Sequence, residues 1–509
     1  MSKNTPSLPG YLQDPPAAAD AFRVQSEKKW LTSGEKRVLK LFHQMSERIP
    51  AYADYLYQHG VKSKNIKTIH DFSKEVPTID KENYLNQYSL EDLSWDGRLK
   101  NKSFTISSTS GSTGKPFYFP REDEQDEQYS VLAELYLRTN FKIHERSTLY
   151  IIGFPLGPWI GGIFTYQALK KLIDRGGYAL SIATPGINSA EIIRTVQELG
   201  GYFDQIIIGS YAPFLKDILD EGERAGLDWS QYDLGFIFSA EVFSENFRNY
   251  IARKTNIKNV CIATLNHYGT VDMGTMSYET PISILTRRLA LQHNSLFSAL
   301  FGDSGKLPTL TQYIPDLHYF ESVNDTLLCS SYSGIPLVRY DLKDKGGVFS
   351  LQNLKNNLKD AGVDFQLELQ KHDIESTVWN LPFVYVYERA DFSVSYYAFF
   401  VYPETIRKAV QSRLFEEHIT GKFSMESDED EQSNPVLRIH VELKEGVKQH
   451  SVLEERLIEQ IHSQLVKESS EYAETFSLLG DKIRPRVQFW RHAYSKYFEP
   501  GIKQKWVVK

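Results

Sequence analysis

Between about residue 100 and residue 390, short apolar runs alternate with amphipathic segments, and this alternation constrains the fold more than any other feature. The runs 149–152, 205–208 and 234–238 are too short for helices and are rich in residues that favour strands. Segments with helical patterns, such as 189–199 and 244–254, lie between the runs. Strands that alternate with helices predict an α/β architecture with a substantial sheet.

The composition suits a chain that builds a large core. Of its 509 residues, 41% are hydrophobic and 24% are charged, which excludes disorder over most of the length. The 58 basic and 65 acidic residues give a net charge of −7, whereas phosphate affinity depends on clustered Lys and Arg. We therefore expect no nucleic-acid partner.

Three features bear on the cellular compartment. Cys261 and Cys329 are the only cysteines, so the chain can form neither a disulfide framework nor a four-thiolate metal site. The segment 149–169 carries no charge, but its glycines and prolines would break a lipid-exposed helix, and it predicts a buried strand, a loop and a helix start. The N-terminus lacks the apolar core of a signal peptide. We expect a cytoplasmic protein without membrane insertion.

The C-terminal part of the chain has a different pattern. Pro403 can open a helix that runs to about His418, since proline is tolerated at a first helical position. The acidic residues 428–431 predict a solvated connection, and the alternation in 437–443 predicts a strand with one buried face.

The next helix is predicted to begin with a capping box formed by Ser451 and Glu454, and a final strand follows it. These elements predict a small α/β domain. Residues 1 to about 100 predict mostly helices. We therefore expect two domains, a large one at 1–387 and a small one at 388–509.

The strongest local signal lies at 107–116, directly after the apolar run 104–106. It combines several hydroxyls, two glycines and one lysine, and phosphate oxygens bind backbone N–H groups, hydroxyls and positive charge. A Walker loop would need glycine at Thr109 and Ser or Thr at Pro116, which excludes that class. The segment predicts a phosphate-binding loop, and a flexible Ser/Gly turn is the alternative.

This loop resembles the phosphate loop of the adenylate-forming superfamily, which contains the acyl-CoA synthetases, and its surroundings resemble the phenylacetate–CoA ligase branch. Further segments resemble the family's motifs in the family's order. They are 239–241 (Ser-Ala-Glu), 268–272 (Tyr-Gly-Thr-Val-Asp), 336–344, 388–391 and 501–505. The resemblance spans about residues 100–509 and implies a large N-terminal domain with a mobile C-terminal domain.

The resemblance implies how ATP would be bound. The implied residues are Thr109, Ser110, Gly111, Ser112, Thr113, Gly114 and Lys115 in the loop, Ser239, Ala240 and Glu241 in the adenine turn, and Tyr268, Gly269, Asp344 and Arg389. Tyr268 would stack on adenine. Asp344 would accept hydrogen bonds from the ribose hydroxyls, with assistance from Arg389.

The resemblance also implies catalytic and conformational roles. Lys503 would stabilise the charge that develops when the substrate carboxylate attacks the α-phosphate, and Lys505 competes with Lys503 for this assignment. Thr113 is the second catalytic residue that the resemblance implies. Asp272 would help to hold Mg²⁺, which prefers carboxylate oxygen and water. Asp391 would be the hinge at which the small domain rotates.

Three positions depart from the family's pattern. Asp272 replaces a glutamate and is one methylene shorter, and Leu342-Lys343 replaces a Thr-Gly pair before the ribose aspartate. Ala398 replaces a glycine that lines the path of the pantetheine arm in the resembling enzymes. In that order, these departures affect the expected binding of the metal, of the nucleotide and of the thiol acceptor.

The expected reaction is ATP-dependent activation of a small carboxylic acid, followed by transfer of the acyl group to a thiol, that of coenzyme A. The alternative acceptors are an acyl carrier protein, an amine or a protein thiol. A nucleotide-binding homologue without catalysis is the non-enzymatic alternative. The resemblance alone suggests an aromatic or medium-chain acid.

Overall fold

The computed structural model describes residues 8–100, 102–109, 117–157, 160–239, 243–302, 307–389, 393–397, 399–430, 434–492, 494, 497–498 and 507. The chain divides into two compact units. The first comprises Met1–Ser107, Tyr118–Ser210 and Leu219–Tyr387, and the second comprises Ser108–Phe117, Tyr211–Ile218 and Glu388–Lys509.

Helices are numerous in the chain before residue 388. They are α1 Pro15–Val24, α2 Glu27–Arg48, α3 Pro50–Gln58, α4 Ile69–Glu75, α5 Asp123–Phe141, α6 Ile160–Arg175, α7 Ser189–Leu199, α8 Ala212–Arg224, α9 Glu245–Thr255, α10 Val260–Ala263, α11 Pro281–Gln292, α12 Asn294–Phe301, α13 Leu351–Asp360 and α14 Phe365–Lys371. Short 3₁₀ turns lie at Gly10–Gln13, Ser63–Asn65, Trp95–Gly97, Gly200–Tyr202, Trp229–Gln231 and Glu375–Thr377, and a π-helical turn lies at Lys81–Leu85.

The strands of the same part of the chain form one large sheet and one small one. They are β1 Thr105–Ser108, β2 Tyr118–Arg121, β3 Thr148–Gly153, β4 Leu180–Ala183, β5 Gln205–Ser210, β6 Leu234–Ser239, β7 Thr264–Thr270, β8 Gly274–Tyr278, β9 Thr309–Gln312, β10 His318–Val323, β11 Thr326–Ser331, β12 Leu337–Phe349 and β13 Phe383–Arg389. Strands β1 and β2 pair with each other, and the other eleven follow the order β10-β11-β12-β13-β9-β8-β7-β6-β5-β3-β4.

The large sheet is mixed. Strands β4, β3, β5, β6 and β7 run parallel, while β7–β8, β8–β9, β9–β13, β10–β11 and β11–β12 are antiparallel pairs. Every residue of β3 and β5 is buried, as expected of parallel strands covered on both faces. The predicted α/β class is confirmed, and the three predicted apolar runs are β3, β5 and β6.

The helix predictions within this region are also confirmed, because 189–199 is α7 and 244–254 coincides with α9. The uncharged segment 149–169 contains β3 and the first part of α6. Across the described residues, no helix combines the length and the apolarity that crossing a membrane would need.

The second unit has its own core. Its elements are β14 Val394–Tyr396, β15 Phe399–Val401, α15 Pro403–Val410, a 3₁₀ turn Arg413–Phe415, β16 Ile419–Glu429, β17 Pro435–Leu443, α16 Ser451–Glu468, α17 Ser470–Leu479, a 3₁₀ turn Gly480–Ile483 and β18 Arg486–Trp490. Strands β14 and β15 form a hairpin, and β16, β17 and β18 form a three-stranded sheet in which β17 and β18 are parallel. The apolar sides of α15, α16 and β17 are buried together in this unit.

Four predictions for this unit need correction. Strand β17 does not have one buried face alone, since His440 and Glu442 are buried along with its apolar residues. Helix α15 ends at Val410 rather than near His418, since the chain turns there and buries Phe415. The acidic segment is not all a connection, because Asp428 and Glu429 pair with β17 as the end of β16. Residue Glu431 lies outside the described residues.

The predicted capping box is wrong. Ser451 is the first helical residue of α16, so its hydroxyl is not at the N-cap position. His450 occupies that position, and its Nδ1 accepts a hydrogen bond from the backbone N–H of Leu453 at 3.2 Å. A histidine side chain thus takes the role that the sequence pattern assigned to serine.

Candidate functional site

The carboxyl ends of β6 and β7 bring two predicted site residues to one edge of the sheet. Ser239 is the last residue of β6 and pairs with His267 of the parallel strand β7. Tyr268 is the next residue of β7, so Ser239 and Tyr268 lie at the same end of neighbouring strands. In open α/β sheets, ligands bind outside this end of the strands.

Gly269 allows β7 and β8 to approach closely beside Tyr268. The pairing register shifts between Tyr268 and Gly269, which marks a bulge in this antiparallel pair. A Cβ at Gly269 would lie 2.6 Å from the carbonyl oxygen of Gly274, too close for any side chain. The glycine is therefore required for the path of β7 at this edge.

Tyr268 and Asp344 are far apart in sequence but are in direct contact. The phenolic oxygen of Tyr268 donates a hydrogen bond to Oδ2 of Asp344 at 2.6 Å, and both side chains are buried. The ring of Tyr268 also lies nearly parallel to the ring of Phe320, with 6.1 Å between the ring centroids. The structure thus brings together the residues assigned to adenine and to ribose.

A bulge in β12 contains Asp344. Thr326 of β11 pairs with Lys345 and Leu328 pairs with Asp341, so β12 has extra residues between these two pairs. Lys343 lies within the bulge at φ = +61°, a left-handed conformation that is unusual for a residue with a side chain. Bulges redirect side chains, and Asp344 lies within this one, next to Lys343.

A second phenol–carboxylate pair mirrors the first. The phenolic oxygen of Tyr340 in β12 donates to Oδ2 of Asp272, in the turn after β7, at 2.6 Å. The two segments therefore exchange hydrogen bonds, since β7 supplies Tyr268 and its following turn supplies Asp272, while β12 supplies Tyr340 and Asp344. We call these four residues the tyrosine–aspartate clasp.

Asp272 suits the role of a single carboxylate for a nucleotide-bound metal. Among the described residues, no group of three or more His, Cys, Asp or Glu side chains could hold a metal ion. Mg²⁺ that arrives with nucleotide phosphates is commonly bound by only one or two protein carboxylates. The half-buried Asp272, fixed by Tyr340, fits that pattern.

A buried ion network lies behind the edge formed by β6 and β7. Arg248 and Arg287 both donate to Glu279, with N–O distances of 2.9–3.0 Å, and all three side chains are at most 1% exposed. Glu279 also accepts the backbone N–H of Asn266 in β7 at 3.0 Å. Arg287 donates to the backbone oxygen of Phe243 at 2.9 Å, which anchors the chain shortly after β6.

In the second unit, Thr109 and Phe117 flank the predicted phosphate loop and bind each other. The backbone N–H of Thr109 donates to the oxygen of Phe117, and the backbone N–H of Phe117 donates to Oγ1 of Thr109, both at 3.0 Å. These two hydrogen bonds join the two sides of the loop at its base. Thr109 therefore has a structural role in addition to any contact with a ligand.

Several predicted site residues lie outside the described residues. They are Ser110, Gly111, Ser112, Thr113, Gly114, Lys115, Ala240, Glu241, Asp391, Ala398 and Lys503. Arg389 is the last residue of β13, and only its backbone is described. Their predicted roles stay predictions.

Sequence reasoning placed Tyr340 and Lys343 in the motif segment 336–344 but assigned neither residue a role. The available signal was a repeated spacing, because a tyrosine precedes an aspartate by four residues both at Tyr268 and at Tyr340. Nothing in one segment indicates that its tyrosine bonds to the aspartate of the other.

Comparison with solved structures identifies the fold over the whole chain. The structure of 2-hydroxyisobutyryl-CoA ligase in complex with 2-HIB-AMP and CoA, in the thioesterification state, matches with a TM-score of 0.63 and 13% identity, covering 100% of this chain and 95% of that one. The same ligase in the postadenylation state with R3-HIB-AMP matches with a TM-score of 0.54, 13% identity and the same coverage. Its open conformation with 2-HIB-AMP and CoA has a TM-score of 0.52 and 13% identity, covering 100% and 97%.

No protein-family model and no curated protein matches the sequence. At 13% identity the structural likeness establishes the fold, and it does so from one end of the chain to the other.

Proposed function

We propose that this protein activates a carboxylic acid with ATP, as an adenylate-forming ligase. The carboxylate attacks the α-phosphorus of ATP, the bond to the pyrophosphate oxygen breaks, and an acyl-adenylate forms. A thiol then attacks the acyl carbon, AMP leaves, and the thiol proton passes to solvent. ATP, Mg²⁺ and coenzyme A are the proposed cofactors, and the phenylacetate–CoA ligase branch is the proposed relationship.

One observation carries this proposal, namely the contact between Tyr268 and Asp344 at the carboxyl edge of the sheet. Base and ribose are joined in a nucleoside, so residues that recognise them must be neighbours. The 2.6 Å hydrogen bond meets that requirement for two residues separated by 76 positions. The full-length likeness to a ligase whose structure contains 2-HIB-AMP and CoA supports the same reaction class.

The catalytic role is assigned to Lys503 through the motif in the C-terminal tail. Its ammonium would interact with the attacking carboxylate and the α-phosphate, where negative charge accumulates in the transition state. Thr113 of the phosphate loop would donate to the phosphates. The small domain, 388–509, would rotate at Asp391 between the two half-reactions, because they need different groups at one acyl carbon.

The acceptor is proposed to be coenzyme A rather than a thiol of the protein. Cys261 is fully buried, and burial raises its pKa to about 12. Burial also raises the pKa of Cys329 well above its ordinary value. Attack on the acyl group requires a thiolate, which neither cysteine supplies at neutral pH. An acyl carrier protein and an amine are the other acceptors to test.

Pyrophosphate exchange tests the proposal directly. Purified protein is incubated with ATP, Mg²⁺, labelled pyrophosphate and a panel of carboxylic acids that includes aromatic, medium-chain and small hydroxy acids. Label should enter ATP only with an accepted acid. Absence of exchange with every acid, in a protein that binds ATP, would favour the non-catalytic nucleotide-binding alternative.

The control for catalysis compares two lysines of the tail. Lys503→Ala should lower exchange by about a hundredfold or more, which corresponds to roughly 3 kcal/mol of electrostatic stabilisation, with little change in ATP affinity. Lys505→Ala is the matched variant and should retain exchange. If Lys505→Ala lost exchange and Lys503→Ala retained it, the catalytic lysine would be Lys505, two residues later in the tail.

The acceptor and the hinge can be tested on the same preparation. Active protein is supplied with coenzyme A, a carrier protein or an amine, and the acyl product is identified by mass. Asp391→Pro fixes φ near −65° and should retain much of the exchange while losing most of the transfer. Equal losses in both half-reactions would contradict rotation at Asp391.

A further inference from the structure

Lys343, within the β12 bulge, has two carboxylate partners. Its Nζ lies 2.7 Å from Oδ2 of Asp80 and 2.8 Å from Oδ2 of Asp341. Burial lowers the pKa of Lys343, but the hydrogen bonds and charges of Asp341 and Asp80 outweigh burial and hold it above its ordinary value. The ammonium is therefore charged at neutral pH and links the two carboxylates.

Asp341 holds the backbone of the bulge as well as the ammonium. Its Oδ1 accepts the backbone N–H of Lys343 at 2.8 Å, while its Oδ2 accepts the ammonium. The backbone of Lys343 is left-handed, which is less favourable for lysine than for glycine. The side chain of Asp341 thus stabilises a conformation that the sequence alone disfavours.

Asp80 connects this arrangement to a second, independently fixed segment. Its Oδ1 accepts the backbone N–H groups of Glu82 and Asn83 at 2.8 and 2.7 Å, so Asp80 caps the π-helical turn Lys81–Leu85. Its Oδ2 remains for Lys343.

The residue before Asp80 is also bonded to β12. Ile79 donates its N–H to the oxygen of Arg339 at 3.2 Å and accepts the N–H of Asp341 at 2.8 Å. Ile79 therefore holds the backbone of β12 just before the bulge, and Asp80 holds the side chain of Lys343 within it.

We infer that Lys343 is a positioning residue, which fixes the β12 bulge so that the neighbouring Asp344 is presented to the ribose hydroxyls of the bound nucleotide. This inference rests on the proposed function. Lys343 itself contacts Asp80 and Asp341, and it acts on the nucleotide only through Asp344. Its loss should therefore weaken the recognition of ribose rather than of adenine or phosphate.

The test is the preference of the protein for ATP over 2′-deoxy-ATP and 3′-deoxy-ATP, measured by titration calorimetry. Asp344→Asn should abolish the preference of the wild type. Lys343→Met should reduce the preference by about fivefold or more, the effect of about one hydrogen bond. Lys345→Met is the matched control, since Lys345 is exposed on the same strand, and it should keep the wild-type preference.

Three further variants separate the ammonium from the backbone. Lys343→Arg retains the positive charge and should restore most of the preference. Lys343→Gly removes the charge but adopts a left-handed backbone without strain, and we still expect a reduced preference. Asp80→Asn removes a charged partner without altering β12 and should act in the same direction, which keeps the test valid if Lys343→Met folds poorly.

Two results would be decisive against the inference. A wild-type preference in Lys343→Met, with the preference lost in Asp344→Asn, would overturn the role of Lys343 and leave the proposed function standing. Full preference in Lys343→Gly would show that the backbone conformation alone suffices. No binding of ATP to the folded wild type would instead overturn the proposed function.

Discussion

Tyr340 donates its phenolic hydrogen to Asp272 over 2.6 Å, and 68 residues of chain separate the two side chains. Together with Tyr268 and Asp344, they join β7 and the turn after it to β12 through reciprocal hydrogen bonds. Strands β7 and β12 are not neighbours in the sheet, so these side chains supply a connection that the strand pairing does not. The clasp therefore couples the proposed metal carboxylate to the proposed ribose carboxylate.

The first prediction concerns the coupling of Tyr340 and Asp272. Tyr340→Phe and Asp272→Asn should each destabilise the protein, since hydrogen bonds to charged groups contribute about 1.5–3 kcal/mol. A double-mutant cycle measured by urea unfolding should give a coupling energy of about 1 kcal/mol between the two side chains. This value is below the range for hydrogen bonds to charged groups because Asp272 is only half-buried. If the two changes in the free energy of unfolding were strictly additive in the double variant, the contact would contribute nothing to stability in solution.

The second prediction concerns Asp344 and nucleotide affinity. Asp344→Ala should weaken ATP binding by at least about tenfold, because the ionised acceptor for the ribose hydroxyls is lost. Tyr268→Phe is the matched variant, since it keeps the aromatic ring and loses only the hydroxyl bonded to Asp344. It should reduce ATP affinity less than Asp344→Ala does. Titration calorimetry on the folded variants measures both ATP affinities. An unchanged affinity in Asp344→Ala would contradict the assignment, and Asp341 would then be the candidate for ribose binding.

Local patterns predicted much of the large unit and less of the site. Apolar runs identified β3, β5 and β6, because buried parallel strands consist of the residues that such runs contain. The same patterns gave no indication of the order in which β8–β13 join the sheet. That order depends on pairings such as Phe383 with Gln312, which are remote in sequence.

The departure at Lys343 shows why part of the site could not be predicted. The sequence shows only that lysine stands where the resembling enzymes have glycine. The structure places this lysine at φ = +61° and gives it two carboxylates, one of them on Asp80. A left-handed conformation and an ion pair to a distant segment both depend on tertiary structure. Similarly, His450 occupies the N-cap position of α16, one residue before the serine that the pattern indicated.

The third prediction concerns the buried ion network. Arg248→Met should lower the free energy of unfolding by about 3–5 kcal/mol, because it leaves Glu279 buried with fewer positive partners. Arg194→Met is the control, since Arg194 is 68% exposed and pairs only at the surface with Glu191. Its effect should stay below about 1 kcal/mol. Urea unfolding measures both variants, and equal effects would contradict a special contribution of the network.

The last prediction concerns His267, which is buried on β7 among tyrosine rings. Its ring centroid lies 5.0 Å from that of Tyr136 and 6.4 Å from that of Tyr278, and its Nε2 has no hydrogen-bond partner among the described residues. Burial lowers the pKa of His267 to about 3, so the folded protein keeps the imidazole neutral. The unfolded chain takes up a proton below about pH 6.5.

The sign of the pH dependence follows from this difference. Between about pH 6.5 and pH 3 the unfolded state binds more protons than the folded state, so the stability contributed by this residue is complete above pH 6.5 and falls as the pH is lowered. The slope is about 1.4 kcal/mol per pH unit for one such group. Lowering the pH from 7 to 4.5 should therefore reduce the free energy of unfolding less in His267→Gln than in the wild type. The difference between the two reductions should be about 2–3 kcal/mol.

Urea unfolding of both proteins across this pH range measures the difference. His318 is also buried with its pKa lowered to about 4, so the variant should retain part of the pH dependence. Parallel curves for the wild type and His267→Gln would mean that His267 is protonated equally in both states. The burial of the imidazole beside Tyr268 would then not persist in solution.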